Sequence, residues 1–469
     1  MKHINRFLIN IVYTFFANGF SLLITMIVML ILPKFLNVSG YGYWQLYVLY
    51  TGYLGLFHLG LCDGIYLKYG GKRYSEINKD IYSQQFKIII LYIFALIGFG
   101  IVFFCRIIDE TNKRDILILT AFALLFYTPK NYLLLTMQAV GDFKNYSRTT
   151  ICERITFFIC IMFLFILGIK DYRYYIVADI LSRIISLIYV LTKFKNIILI
   201  SVKVSSKGIK ECILDIRSGY AIVIAGIASN LIVGIVRISI ENIWNIEIFS
   251  KVSLALSILN IVLSFVNMIS LVMFPFLNTI TTRSLIKIFS CFDEFSVLGL
   301  LGILFLGLPI SLFIKFWLPE YIESIDYFCI LLPSCLMECK MAVLCNSYFK
   351  TLKEQRKLLY INLLMLAISA FSTLICIYVL KSLIMAVYLI AVLLCLREII
   401  SEIVLRSLID IRSNQISFYE VFFISLYFIL FSIFNINGAS IISLLVLVLV
   451  LLKNRNKYLL VLKDFNIVK

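Results

Sequence analysis

Stretches of about 20 mostly apolar residues, the length a helix needs to cross a bilayer, recur from one end of this sequence to the other. No soluble domain lies between them, and nothing constrains the fold more. Each crossing must satisfy its own backbone hydrogen bonds, because lipid offers none, so the chain is expected to be an all-α integral membrane protein. Composition agrees. Of 469 residues 62% are apolar and 15% charged, with mean hydropathy +1.00, where soluble domains run near half apolar and a quarter charged.

Hydropathy predicts spans near 7–32, 42–65, 86–105, 116–138, 151–169, 174–192, 219–240, 247–277, 295–314, 326–348, 358–380, 383–405, 418–434 and 439–452. An even number of crossings, fourteen, puts both termini on one side. Basic residues gather in cytoplasmic loops, and with the N-terminus inside, 29 of the 43 Lys and Arg fall in inside loops against 8 in outside loops. Lys68, Lys72 and Arg73, then Lys144, Arg148 and Arg154, then Lys203, Lys207 and Lys210 are among them. The net charge of +17 is therefore a topology signal, and no nucleic-acid partner is expected.

The outside loops are short, which argues against an enzyme that builds an extracytoplasmic site from a large loop. The longest connection, near 193–218, is basic and follows the sixth span, so it reads as a linker between two six-helix halves. The expected domains are 1–200 (helices 1–6), 201–410 (helices 7–12), and 411–469 (helices 13–14 and a basic cytoplasmic tail). Most of the twelve cysteines lie in apolar runs, where cysteine behaves as a small hydrophobe. Two histidines and no CxxC pair argue against a metal site, and no cofactor is expected. The first apolar run is too long for a cleavable signal peptide and lacks a small-residue cleavage site.

Several stretches carry a family likeness. "FLNVSGYGYWQLYVLYTGYLGLFHLGLCDGIYLKYGG" places a G-Y-G turn before a helix ending in L-G-L; "MQAVGDFKNYSRTTICERI", "ADILSRIISLIYVL" and "YFKTLKEQRKLLYINLLMLAISA" follow. With fourteen crossings, the chain resembles the polysaccharide-transport branch of the multidrug/oligosaccharidyl-lipid/polysaccharide exporter superfamily, the O-antigen and capsule repeat-unit flippases. That resemblance implies two six-helix lobes around a central cavity open to one side at a time, in a bacterial cytoplasmic (inner) membrane. It implies a non-enzymatic flippase for a polyprenyl-diphosphate-linked oligosaccharide, with membrane lipid and a polysaccharide polymerase and chain-length proteins as partners. The rival readings are a multidrug-type exporter of the same superfamily and a membrane-embedded polymerase or acyltransferase. The first would carry an acidic cation site, whereas the mid-span charges here lean basic; the second lacks a catalytic His/Asp/Glu constellation.

A diphosphate headgroup asks for cations in a wet cavity, and ionisable groups inside spans are costly enough to be functional candidates. Arg183 lies near the middle of helix 6 with Asp179 one turn before it, in the favourable acid-then-base order; the two form a structural pair or serve the cavity. Arg237, late in helix 7, suits phosphate oxygens through its planar fork. Lys251, early in helix 8, reads as a snorkelling cation or a headgroup contact. Lys130 follows Pro129 in helix 4 as a hinge or a cavity cation. Glu338 and Lys340 in helix 10 cannot share a face, so one of them, Lys340 as a cavity cation or Glu338 as a gate or coupling acid, faces the cavity while the other pairs elsewhere. Arg397, Glu398 and Glu402 on helix 12 read as a structural network. The amides Asn18, Asn230, Asn260 and Asn267 are polar cavity or interhelical candidates. Asp63, near the cytoplasmic end of helix 2, is expected to belong to a gate that pairs it with a basic residue, or to be compensated by the lysines just beyond it. His58 is expected to be a hydrogen-bonded buried imidazole.

Overall fold

The computed structural model describes the backbone of residues 2–198, 203–277, 282–410 and 415–453. Among these residues there is no strand. Sixteen α-helices follow one another: α1 (Lys2–Phe35), α2 (Val38–Thr51), α3 (Leu61–Tyr69), α4 (Lys79–Ile107), α5 (Thr111–Ala139), α6 (Phe143–Ile166), α7 (Tyr172–Ile198) and α8 (Ser206–Ile243), then α9 (Ile246–Leu277), α10 (Thr282–Phe305), α11 (Gly307–Trp317), α12 (Ser324–Lys340), α13 (Asn346–Thr351), α14 (Gln355–Thr373), α15 (Leu383–Leu408) and α16 (Gln415–Lys453). A π turn at Met341–Cys345 joins α12 to α13, and a second, at Leu374–Val379, extends α14. Among the described residues, ten helices are long and apolar enough to cross a membrane, with shorter apolar helices at Gly19–Phe35 and Tyr419–Ile433.

The chain divides into two compact units, residues 1–230 and 231–469, so that α8 begins in the first and ends in the second. In the first unit α5 is central, packing on α2, α3, α4, α6 and α7, and α1 lies against α6. In the second unit α12 is the enclosed helix, held by α9, α10, α15 and α16. It contrasts with α4, whose Leu91, Phe94 and Phe99 are exposed along a lipid-compatible face.

Helix starts follow capping chemistry. Asn37, Asn78, Asp142 and Ser382 each accept a hydrogen bond from a backbone N–H three residues on, opening α2, α4, α6 and α15, as small polar side chains do at helix N-termini.

Three predicted spans look different in the structure. The second, expected as one helix over 42–65, is broken: α2 ends at Thr51, a 3₁₀ turn covers Leu54–His58, and Leu59 (φ 53°) and Gly60 (φ 92°) turn left-handed before α3. Apolar character reports burial in lipid, not continuity of the helix, and a discontinuous helix is stable where neighbours cover its freed backbone groups. The last two spans, expected to separate at 435–438, form one continuous helix, α16, about 58 Å long at 1.5 Å per residue. Asn and Gly in "FNING" cost only about 1 kcal/mol each in a helix interior, too little to break one flanked by apolar turns on both sides.

Candidate functional site

Charged side chains inside the helices gather into one network in each unit. In the first unit the hairpin of α5 and α6 sets the geometry. Lys130 lies nine residues before the end of α5 and Glu153 ten after the start of α6. The two therefore stand at one level, about 14–15 Å from the turn that joins them. Lys130 Nζ meets Glu153 Oε2 at 2.5 Å. At the same depth on α7, Arg183 Nε donates to Asp179 Oδ2 at 2.7 Å, one turn away. The Tyr47 hydroxyl of α2 donates to the same oxygen at 2.6 Å. The Arg183 guanidinium lies 5.9 Å from the Tyr127 ring centroid, within cation–π range. The pairs also sense one another electrostatically, Arg183 with Glu153 and with Lys130.

Arg154 completes this group. It interacts electrostatically with Glu153, Asp179 and Lys130, yet it makes no ion pair or hydrogen bond with any described residue and is only half-buried. Three bases (Lys130, Arg154, Arg183) against two acids (Glu153, Asp179) leave one positive charge uncompensated in the network. The sequence reading counted Arg154 as a cytoplasmic loop charge because it started the fifth span at 151. The N-cap at Asp142 was the signal that would have moved that start to Phe143 and put Arg154 well inside the helix.

The second network lies among α12, α15 and α16. The three carboxylates of Glu398, Glu402 and Glu420 offer oxygens within 4.8 Å of one another, an arrangement that collects a cation. Here that cation is the chain's own. Lys340 Nζ lies 2.8 Å from Glu402 Oε2, 2.8 Å from Glu420 Oε2 and 3.4 Å from Glu398 Oε1. Arg406 donates to Glu402 Oε1 at 2.7 Å, Ser296 donates to Glu420, and Arg397 Nη2 contacts both Glu338 oxygens at 2.5 and 2.6 Å. Four acids against three bases leave this network one negative charge in excess.

The remaining expected residues are placed as follows. Lys340, expected as a cavity cation, is not available to an anion, because three carboxylates surround it. Glu338 is taken by Arg397, as a position off the Lys340 face should be. Arg183 and Lys130 are paired rather than bare cations. Arg237 Nη2 donates to Ser253 Oγ at 2.9 Å and stacks over Phe249 at 5.3 Å, so it is held across the α8–α9 hairpin. Lys251 pairs with Glu323 at 2.8 Å, and Glu323 is exposed. Asn230, Asn260 and Asn267 are exposed, which removes the buried interhelical reading for these three. The Asn18 side chain lies outside the described residues.

Asp63, the gate candidate, lies at the start of α3. No Lys or Arg among the described residues pairs with it; its ionic neighbour is His58, with Nε2 at 3.8 Å from Oδ2. The Gly60 N–H donates to His58 Nδ1 at 3.2 Å, which leaves the imidazole proton on Nε2, facing Asp63. His58 is thus the hydrogen-bonded buried ring that was expected. Asp63 stands in the first turn of α3, where a carboxylate offsets the positive end of the helix dipole. The lysine expected to compensate it is engaged elsewhere: Lys68 Nζ bonds Glu211 at 2.7 Å and Asp215 at 3.0 Å on α8.

Comparison with protein-family models and with curated proteins finds no match. Solved structures do match over nearly the whole chain. A lipid II flippase, MurJ, in an inward closed conformation aligns with TM-score 0.67 and 14% identity, covering 96% of this chain and 99% of that one. An inward-facing multidrug resistance MATE family transporter of the MOP superfamily aligns with TM-score 0.55 and 14% identity, covering 84% and 98%. A MOP superfamily transporter from Pyrococcus furiosus aligns with TM-score 0.52 and 12% identity, covering 86% and 95%. The chain is a multi-pass helical membrane protein that shares the fold of these solved proteins.

Proposed function

We propose that this chain is a flippase that moves a polyprenyl-diphosphate-linked oligosaccharide repeat unit across a bacterial cytoplasmic membrane by alternating access, for O-antigen or capsule synthesis. The N-terminus would lie in the cytoplasm, and a polymerase and chain-length proteins would act on the product. The fold shared with a lipid II flippase supports a lipid-linked substrate. The observation that carries the reading is Arg154: a half-buried cation about 16 Å along a membrane helix, with no carboxylate paired to it among the described residues. A residue that costs insertion energy and has no internal partner is suited to an anion that arrives and leaves. Arg183, Lys130 and their acids hold the surrounding helices in register, and Arg237 is the corresponding candidate in the second unit. A multidrug exporter for cations would place an uncompensated acid, not a base, in this network.

The test uses the full chain in proteoliposomes with a fluorescently labelled polyprenyl-diphosphate oligosaccharide. Arg154→Gln is expected to slow flipping by about tenfold or more, the loss of one charge-assisted contact, while leaving the melting temperature unchanged. Full flipping by that variant, or transport of organic cations in place of the labelled lipid, would overturn the reading.

A further inference from the structure

The second unit's network does not balance, and its geometry shows which group carries the imbalance. Glu398 is wholly buried on α15, and neither of its carboxylate oxygens has a hydrogen-bond partner. Lys340 is its nearest cation, but an ammonium has three N–H donors. Three hydrogen bonds from Lys340 Nζ already run to Glu402 Oε2 at 2.8 Å and to Glu420 Oε1 and Oε2 at 3.0 and 2.8 Å. Glu398 Oε1 stands off at 3.4 Å, within ionic range but without a hydrogen bond. The two arginines bond other acids, Arg397 to Glu338 and Arg406 to Glu402. The charged groups that face Glu398 are therefore Lys340 from α12, Glu402 from α15 itself and Glu420 from α16. The pair of Glu338 and Arg397 neutralises itself, and α14, which also packs on α15, brings no ion pair to Glu398.

We propose that this cluster is a buried proton-binding site and that Glu398 is the group that holds the proton. An ionised carboxylate with no donor, in a water-poor interior, is among the costliest states a side chain can adopt. Taking up one proton from water turns Glu398 into a neutral acid. The network then holds three bases against three ionised acids. It also turns an acceptor that lacks a donor into an O–H donor, and the oxygens of Glu402 and Glu420 lie close enough to receive it after a small side-chain rotation. The shared proton of two adjoining carboxyls follows the same logic. Because Glu420 is the residue of α16 that reaches Lys340, the proton also sets how α16 is fastened. With Glu398 ionised, it competes with Glu420 for the ammonium; with Glu398 neutral, Lys340 is left to Glu402 and Glu420.

The test needs no transport substrate, so its failure is separable from failure of the flippase reading. Infrared spectra of the full chain in nanodiscs at neutral pH should show the carbonyl-stretch band of a protonated carboxyl that disappears in Glu398→Gln. That same variant, which copies the neutral acid in shape, should melt at the wild-type temperature. Glu402→Gln, which removes an ionised partner of both Lys340 and Arg406, should melt markedly lower. If Glu398→Gln removes no protonated-carboxyl band, or lowers the melting temperature as much as Glu402→Gln does, Glu398 is an ionised member of the network and the proposal fails.

Discussion

Gly64 of α3 stands against the backbone of Asp215 on α8 so closely that a Cβ at residue 64 would overlap the Asp215 carbonyl. Gly219 meets Gly60 and Gly64 in the same way from the other side. Two helix backbones are in contact here, and Lys68, one turn beyond Gly64, closes on Glu211 and Asp215. This crossing accounts for the glycines at the end of the second span.

Gly64→Ala should therefore force α3 and α8 apart, since the obstructing atoms are main chain and cannot rotate away. An overpacked contact of this kind costs about 1–3 kcal/mol. The melting temperature should fall, whereas Gly98→Ala, with nothing within 4 Å of the added methyl, should leave it unchanged or raise it slightly.

Removing the Lys68 ammonium should expose how much the clasp contributes. Asp215 is buried and also accepts a hydrogen bond from Gln85 Nε2 at 2.6 Å, so Lys68→Met leaves a buried carboxylate with an amide but no cation. A loss of about 1.5–3 kcal/mol is expected, the range for hydrogen bonds to charged groups. Burial works against the Lys68 charge, but its hydrogen bonds to Glu211 and Asp215 outweigh that and raise its pKa above the ordinary 10.5. The sign follows from linkage. The clasp contributes fully below pH 10.5 and is lost as pH rises through the higher folded-state value. Melting curves from neutral to strongly alkaline pH should show wild type converging on Lys68→Met only at the alkaline end.

Lys130 and Glu153 should behave as a unit. Breaking a buried ion pair from one side costs about 3–5 kcal/mol because the survivor keeps its charge, whereas replacing both partners is often near neutral. Lys130→Met alone should destabilise strongly, and adding Glu153→Leu should recover most of the loss. A coupling energy near zero in the double-mutant cycle would mean that the pair does not hold α5 to α6.

Tyr47 tests the other half of that network. Tyr47→Phe removes one of two donors to Asp179 Oδ2 without changing the net charge. A loss of about 1.5–3 kcal/mol is expected in thermal melts, with the Arg154-dependent flipping rate unchanged.

Several features could be read directly from the chain. Span positions follow from uninterrupted apolar runs, and α5, α7, α9 and α15 fall where hydropathy placed them, whereas α8 begins at Ser206, inside the stretch read as a linker. The pairing of Asp179 with Arg183 was visible as well, because residues four apart on a helix are neighbours by construction. Glu338 and Lys340, two apart, were expected to face different partners, and they do.

What could not be read are partners brought together from distant helices. Nothing in sequence spacing links Lys340 to Glu420, eighty positions on, or Tyr47 to Asp179. Arg154 was missed for a different reason: hydropathy marks where polarity falls, while the N-cap marks where the helix starts, and here the two differ by eight residues. Asp63 invited pairing with Lys68 because both lie on one short helix, yet α8 offered Lys68 two carboxylates instead.

By itself the sequence determined the solvent and the helical state, because lipid forces each span to satisfy its own backbone, and it made charges well inside the apolar runs, such as Arg183 and Lys340, conspicuous. Tertiary structure alone decided which charges cancel. Coulomb attraction grows as charges approach and is strong in a low-dielectric interior, and which groups come within a few ångströms between helices is fixed by packing, which also left Arg154 and Glu398 without a full partner among the described members of the two networks.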